Sequence, residues 1–402
     1  MLELDAITTL ALACVLLLLG QAIVNNVSIL MKLCIPAPVI GGLIFAILVA
    51  ILQSTNVVTI KLESEFIQDF FMLAFFTTIG LGASLKLLRL GGKVLIVYFI
   101  FCGILATCQN IIGVSLSKVL NIPPLLGLTA GSMSMEGGHG NAAAYGKTLE
   151  TLGVDSAVTA ALAAATLGLV AGGLIGGPVV RFLIKKFDLK PEQAEASALD
   201  YSDVDYNKEL HSRMNPTTVF IVQFTIITVS MAIGTYLADT FTDYTGINVP
   251  IYVGAMFIAV IIRNISDYGK LNIVDMKITN RVSDVSLSLF LSIALMSINL
   301  TEIYNLALPL TIIVLVQIVF IVLFSVFVVF RALGKNYDAA VMIGGFIGHG
   351  LGATPNAMAN LDVITKKFGA SPKAYLVVPV VGAFLIDLLG VPIVTFFINV
   401  FS

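Results

Sequence analysis

Long apolar runs separated by short polar intervals organise this chain from end to end. Ten of them are long enough to cross a bilayer as helices, at about 5–24, 35–52, 67–84, 94–120, 156–184, 216–240, 250–268, 283–299, 307–333 and 374–400. Two further segments, about 123–152 and 336–368, are only moderately apolar and are interrupted by glycine runs. They are too long for loops and poor as single spans. Each reads as a re-entrant hairpin that dips into the membrane and returns, because irregular backbone at that depth is tolerated only where protein or water covers it. The expected fold is an all-α polytopic membrane protein.

Composition agrees with the pattern. The 402 residues are 58% hydrophobic and 11% charged, against about a quarter charged in soluble domains, and mean hydropathy is +1.01. The short alternating segments of a β-barrel are missing. The first run, Ala6–Val24, is too long for the core of a signal peptide, and its flank carries Glu3 and Asp5 where a signal would be basic. It reads as the first span.

Charge placement orients the layout. With the N-terminus outside, 19 of the 22 Lys and Arg residues fall on the inner face; only Lys61, Lys118 and Lys147 fall outside. That bias is what the positive-inside rule requires, and shifting the span count by one would destroy it for half the chain. Both termini are therefore expected outside and the polar stretch 185–215 inside, as a charged linker.

The linker divides the chain into two similar plans: an N-terminal repeat, 1–184, with five spans and hairpin 123–152, and a C-terminal repeat, 216–402, with five spans and hairpin 336–368. Five is odd, so the second repeat is inverted in the membrane. Gly-His-Gly occurs once in each hairpin, at Gly138-His139-Gly140 and Gly348-His349-Gly350. Elsewhere the halves share little: Gln109 and Gln317 are 208 residues apart, Pro178 and Pro392 are 214 apart. Glycine-rich breaks at matching places in inverted repeats are the best sequence pointer to a transporter's binding site.

The chemistry of such a tip follows from its helix ends. The descending half-helix ends on free carbonyls, which suit a cation; the ascending half starts with free N–H groups, which suit an anion. Asn141 is the expected N-cap of the first restart, and Thr354 followed by Pro355 that of the second. Polar residues flank both glycine runs: Ser132, Ser134, Glu136 and Asn141 beside Gly137, Gly138 and Gly140, and Thr354, Asn356 and Asn360 beside Gly348, Gly350 and Gly352. No Lys or Arg sits centrally in a span, so an anionic substrate would be held by helix N-termini, amides, hydroxyls and co-bound cations. That dependence is what symport needs.

Several residues admit a plain reading beside the functional one. Asp387, mid-way along the last span, reads as a contact for an ion or a substrate ammonium, or as a hydrogen-bonded structural carboxylate. Asp69 and Asp284 read as helix caps near span ends. His139 and His349 are expected to hydrogen-bond across the tips and shape them; two His without a third matching ligand are weak for a metal. Gln109, Asn110 and Gln317 either line the site as Na⁺ ligands or join helices. The glycines of 168–178 and 38–44 read as packing residues. Cys14, Cys34, Cys102 and Cys108 have no metal-site spacing and read as free thiols.

These segments resemble the bacterial sodium/glutamate symporter family. The matching stretches are IPAPVIGGL (35–43), FFMLAFFTTIGL (70–81), LTAGSMSMEGGHG (128–140), LGLVAGGLIGGP (167–178), VSLSLFLSIALM (285–296), RALGKNYDAAVM (331–342), GHGLGATPNAMAN (348–360) and VVPVVGAFLID (377–387). They run in family order over nearly the whole chain. The resemblance implies a multi-pass homodimer of the bacterial inner membrane, with a scaffold and a mobile domain, taking up L-glutamate with Na⁺ by an elevator-like movement. It places substrate and Na⁺ near Ser132–Asn141 and Gly344–Asn356 without assigning individual ligands; Glu136 and Asp387 are expected as Na⁺ ligands from their own chemistry, as acids at membrane depth. No organic cofactor and no nucleic-acid partner are expected. The alternatives are a carrier of another small carboxylate driven by Na⁺ or H⁺, a channel, and a membrane-embedded enzyme. The last would need a nucleophile–base pair or metal-ligand motif, and no such motif is visible.

Overall fold

A computed structural model describes residues 2–32, 35–55, 60–86, 92–191, 215–247, 249–269, 271, 273–297 and 306–402. Most of the linker lies outside the described residues, as does Cys34.

Helices dominate. In chain order they are α1 (Ala6–Asn26), α2 (Ser28–Lys32), α3 (Ala37–Ser54), α4 (Glu65–Gly82), α5 (Gly92–Val119), α6 (Pro124–Leu128), α7 (Ser132–Met135), α8 (Gly138–Thr151), α9 (Ala157–Phe187), α10 (Pro216–Thr245), α11 (Ile251–Tyr268), α12 (Met276–Met296), α13 (Ala307–Ala332), α14 (Tyr337–Gly350), α15 (Thr354–Phe368), α16 (Pro372–Val380) and α17 (Ile386–Phe401). Two short strands, β1 (Leu2–Leu4) and β2 (Ile60–Leu62), pair in parallel, Glu3 opposite Lys61.

Eight helices among the described residues are long and apolar enough to cross a membrane; Ala37–Leu52 and Ile386–Phe401 are shorter apolar helices. The starts obey local chemistry. Asp5, Asn215 and Asn336 accept the backbone N–H of Thr8, Thr218 and Ala339 at 2.8, 2.8 and 2.9 Å, caps worth about 1 kcal/mol each. Pro216 follows its cap at the first helical position. Three expectations are corrected. The last span is two helices joined by a π-helical turn, Val381–Leu385, and α13 contains another at Ser325–Val329; apolarity cannot register such a change of winding. Asp69 and Asp284 are not caps but lie inside α4 and α12. Asp69 pairs with Lys147 at 2.5 Å, and Asp284 is exposed.

The chain forms two compact units that do not follow its halves: Met1–Asp69 with Lys93–Pro191 and Ser288–Ser402, and Phe70–Gly92 with Glu192–Leu287. In the second unit, α10 and α11 cross where a Cβ on Gly234 would stand 2.3 Å from Ala255 Cα, and Phe76 stacks on Tyr252. Asn264 and Arg263 donate to the carbonyls of Ala83 and Leu81 at the end of α4, satisfying oxygens that a helix C-terminus leaves unpaired. In the first unit, α1 and α3 cross backbone to backbone, since a Cβ on Gly20 would meet Ala37 O at 2.2 Å and one on Gly41 would meet Leu16 O at 2.1 Å. The glycines of 38–44 are packing residues, as expected. The remainder of this unit holds both glycine-rich breaks.

Candidate functional site

The second broken segment is an antiparallel helical hairpin. α14 and α15 touch where Gly348 faces Ala357 and Gly344 faces Asn360 and Ile364, and Tyr337 donates to Gly369 O across the open end at 2.5 Å. The break between them, 351–353, is at the buried tip. Thr354 is the first residue of α15 and does not cap it; Ala353 holds that position, with Pro355 in the first turn.

The first broken segment is built differently. α6 returns along the end of α5, where a Cβ on Gly127 would stand 2.3 Å from Gly113 O. Asn110 Oδ1 then accepts from Ser132 N at 2.8 Å and Ser132 Oγ at 3.0 Å, anchoring α7. α8 instead packs on α9, Gly146 against Val158. Asn141 does not cap α8. Gly137 does, and Asn141 lies one turn in, its amide donating to Asp387 Oδ1 at 2.7 Å. Tyr145 donates to Val391 O at 3.1 Å. Thus α17 packs against α8.

The two breaks meet. Gly138 has φ +62, and a Cβ there would stand 2.8 Å from Gly352 O. Only glycine satisfies both the left-handed backbone and the close approach. Gly140 is buried in the first turn of α8. The glycines of α9 contribute more than generic packing: Gly168 lies against Leu351 O and Met135, so one helix face touches both breaks. Asn356 and Asn360 of α15 donate to Leu169 O at 2.6 Å and Gly172 O at 3.1 Å of that same helix.

The amides of α5 and α13 tie the breaks together. Gln109 Nε2 donates to Gly350 O at 2.8 Å, and Gln317 Nε2 donates to Gln109 O at 2.7 Å and Ala130 O at 3.1 Å. They join helices, while their side-chain oxygens, Gln109 Oε1 and Gln317 Oε1, have no hydrogen-bond partner among the described residues. The histidines do not bond across the tips. His139 Nε2 meets Thr166 Oγ1 of α9 at 3.0 Å, and His349 Nε2 meets Tyr98 O–H of α5 at 2.7 Å. Each ties its own tip to a neighbouring helix.

Between α7, α8 and α17 lies a cavity of about 10 Å³, lined by Ser132, Met133, Glu136, Gly137, Asn141, Tyr145, Ile386, Asp387, Gly390 and Val394. That is room for about one water or one small ion. Two carboxyl groups face it and no basic side chain does. Glu136 and Asp387 are 6% and 8% exposed, and Glu136 Oε1 and Asn141 Oδ1 have no hydrogen-bond partner among the described residues. Unpaired buried acceptors are costly. A cavity with this lining is suited to a cation coordinated by oxygen.

Sequence reasoning missed Tyr98, Cys102, Thr166 and Tyr145. Tyr98, Cys102 and Gln109 recur at helical spacing on one buried face of α5, a stripe that could have been read from the chain. Thr166 and Tyr145 carry no such signal.

The profile of the sodium/glutamate symporter family matches residues 2–370. The sodium/glutamate symporter of Escherichia coli is 40% identical over 404 aligned residues, covering 99% of this chain and 98% of that protein. Its Haemophilus influenzae counterpart is 39% identical over 384, covering 95% and 94%. A solved sodium proton antiporter from Methanocaldococcus jannaschii superposes over 98% of each chain with a TM-score of 0.43 at 14% identity, too loose a likeness to bear on fold or function. With apolar helices throughout and relatives that are symporters rather than enzymes, this is a multi-pass membrane protein, and the chain belongs to the sodium/glutamate symporter family.

Proposed function

We propose that this protein takes up L-glutamate coupled to Na⁺ across a bacterial inner membrane. The observation that carries the reading is the ion-sized cavity beside the meeting point of the two breaks, with Glu136 and Asp387 on its wall and no basic residue. Na⁺ bound there would be held by those carboxylates, Asn141 Oδ1 and Ser132. The cavity is too small for glutamate. The substrate site is assigned to the adjoining tips, around Gly138–Asn141 and Gly348–Asn356, where backbone N–H groups of α8 and α15 can receive its carboxylates and Asp387 can receive its ammonium. Opening that site requires the breaks to move, and filling the cation cavity supplies a reason for them to close.

The finer architecture belongs to the same proposal: two inverted repeats, 1–184 and 216–402, joined by 185–215; both broken segments entering the membrane as re-entrant hairpins; both termini outside; a homodimer with elevator-like alternating access. It is supported by the inward bias of Lys and Arg and by a shared pattern of contacts. Asn141 of α8 reaches α17, and Asn356, 215 residues later, reaches α9. Each net charge moved down 100 mV supplies about 2.3 kcal/mol, so importing an anion against that potential is expected to take two or more Na⁺.

The test is uptake of radiolabelled L-glutamate into proteoliposomes with an inward Na⁺ gradient against equal choline. Uptake that needs the gradient and collapses with a sodium ionophore supports the proposal. Tight vesicles without Na⁺-dependent uptake overturn the glutamate assignment and favour another carboxylate. Voltage-independent uptake would exclude the multiple-Na⁺ stoichiometry.

A further inference from the structure

Glu136 also belongs to a cluster of different chemistry. Cys102 of α5, Glu136 at the end of α7 and His349 of α14 bring a sulfur, a carboxylate oxygen and an imidazole nitrogen within 4.8 Å of one another. Cys102 Sγ stands 4.0 Å from His349 Nε2. All three are more than nine-tenths buried, at 1%, 6% and 1% exposure. Glu136 Oε1 has no hydrogen-bond partner among the described residues. We infer that Cys102, Glu136 and His349 form a binding site for Zn²⁺, distinct in donor set from an all-oxygen Na⁺ site.

The chemistry selects the ion. Hard cations such as Na⁺ gain nothing from a thiolate, whereas Zn²⁺ takes sulfur, nitrogen and carboxylate oxygen together. Zinc bonds of about 2.0–2.3 Å place tetrahedral donors roughly 3.5 Å apart, so donors within 4.8 Å of one another need to close by no more than about 1.3 Å. The thiol proton leaves to solvent as the metal binds. Thiolate and carboxylate then neutralise the two positive charges, so no net charge is left in the interior. Three protein ligands leave a fourth position open. The hydrogen bond between Tyr98 O–H and His349 Nε2 must be exchanged for the metal bond, which makes Tyr98 a competitor for the site.

The placement has a functional consequence, which rests on the Na⁺ reading of the neighbouring cavity. Zn²⁺ would draw Glu136 away from the cation cavity and clamp α5, α7 and α14 together across both breaks. Zn²⁺ is therefore expected to inhibit uptake and to raise the Na⁺ concentration needed for half-maximal rate.

Binding is tested apart from transport. In purified full-length protein carrying C14S, C34S and C108S, equilibrium dialysis should find one Zn²⁺ per chain. Co²⁺ in its place should show a thiolate-to-metal charge-transfer band. Adding C102S should abolish the band and weaken Zn²⁺ binding more than about 100-fold, and Y98F should tighten it. No band in the single-cysteine protein, or Zn²⁺ binding unchanged by C102S, overturns the site whatever the variants do to folding. Zn²⁺ inhibition of uptake, normalised to each variant's own metal-free rate, should disappear with C102S. Absence of the band in protein that retains Cys102 would refute the Zn²⁺ site and leave the Na⁺ reading standing. An intact band with no effect of Zn²⁺ on Na⁺ dependence would refute only the link to the cation cavity.

Discussion

The two glycine-rich breaks share a tripeptide and a meeting point, yet they are built for different work. The second is closed: α14 and α15 lie glycine to helix, and Asn356 and Asn360 spend their amide donors on backbone carbonyls of α9. The first packs against α17, and its asparagine donates to a carboxylate, Asp387. The contrast sharpens at matching positions of α9 and α17. Gly168, Gly173, Gly176 and Pro178 of α9 stand 214 residues before Gly382, Asp387, Gly390 and Pro392. Where α17 carries Asp387, α9 has Gly173, whose added Cβ would meet nothing nearer than Asn356 Nδ2 at 4.0 Å. The matched glycine and proline spacing thus carries a buried carboxyl group in one helix only. Pairing of motifs brings the tips together, and the cation site proposed at one of them depends on a carboxylate that α9 lacks.

The most severe break of this asymmetry is D387N. It removes the charge while keeping a group able to hydrogen-bond Asn141, and it should lower Na⁺-dependent uptake at limiting Na⁺ by about 100-fold in protein that still reaches the membrane. Near-wild-type Na⁺ dependence would reduce Asp387 to a structural carboxylate. Next is G138A, which forces a side chain into a left-handed backbone and against Gly352 O. Its cost is expected at about 1–3 kcal/mol, read as a lower melting temperature of the purified protein together with reduced uptake. An unshifted melting temperature would mean that the tips do not meet as described.

Smaller effects test the periphery. K147M removes a pair whose side chains are 22% and 30% exposed, so about 0–1 kcal/mol should be lost with little change in uptake; a larger loss would give the Asp69–Lys147 contact a role in transport. G173A should be the mildest, neutral or stabilising by up to about 1 kcal/mol in a helix, with uptake unchanged. If G173A instead abolished transport, α9 would be as critical to the ion as α17 and the contrast between the two helices would fall.

Much of this could be read from the chain. Apolar runs predicted the helices because a membrane-crossing segment must satisfy its backbone internally and cover itself with apolar side chains, a local requirement. The paired Gly-His-Gly runs, the lone amide of α13 at Gln317 and the intramembrane Asp387 stood out because each violates that requirement where nothing local compensates. What compensates is decided only in three dimensions. That Asn141 sits inside α8 rather than capping it, that Glu136 and Asp387 share one ion-sized cavity, and that Cys102 faces His349 from 247 residues away all depend on which helices pack against which. A linear pattern records how apolar a segment is. It does not record which partners its few polar atoms will meet, because those partners are supplied by packing between distant helices.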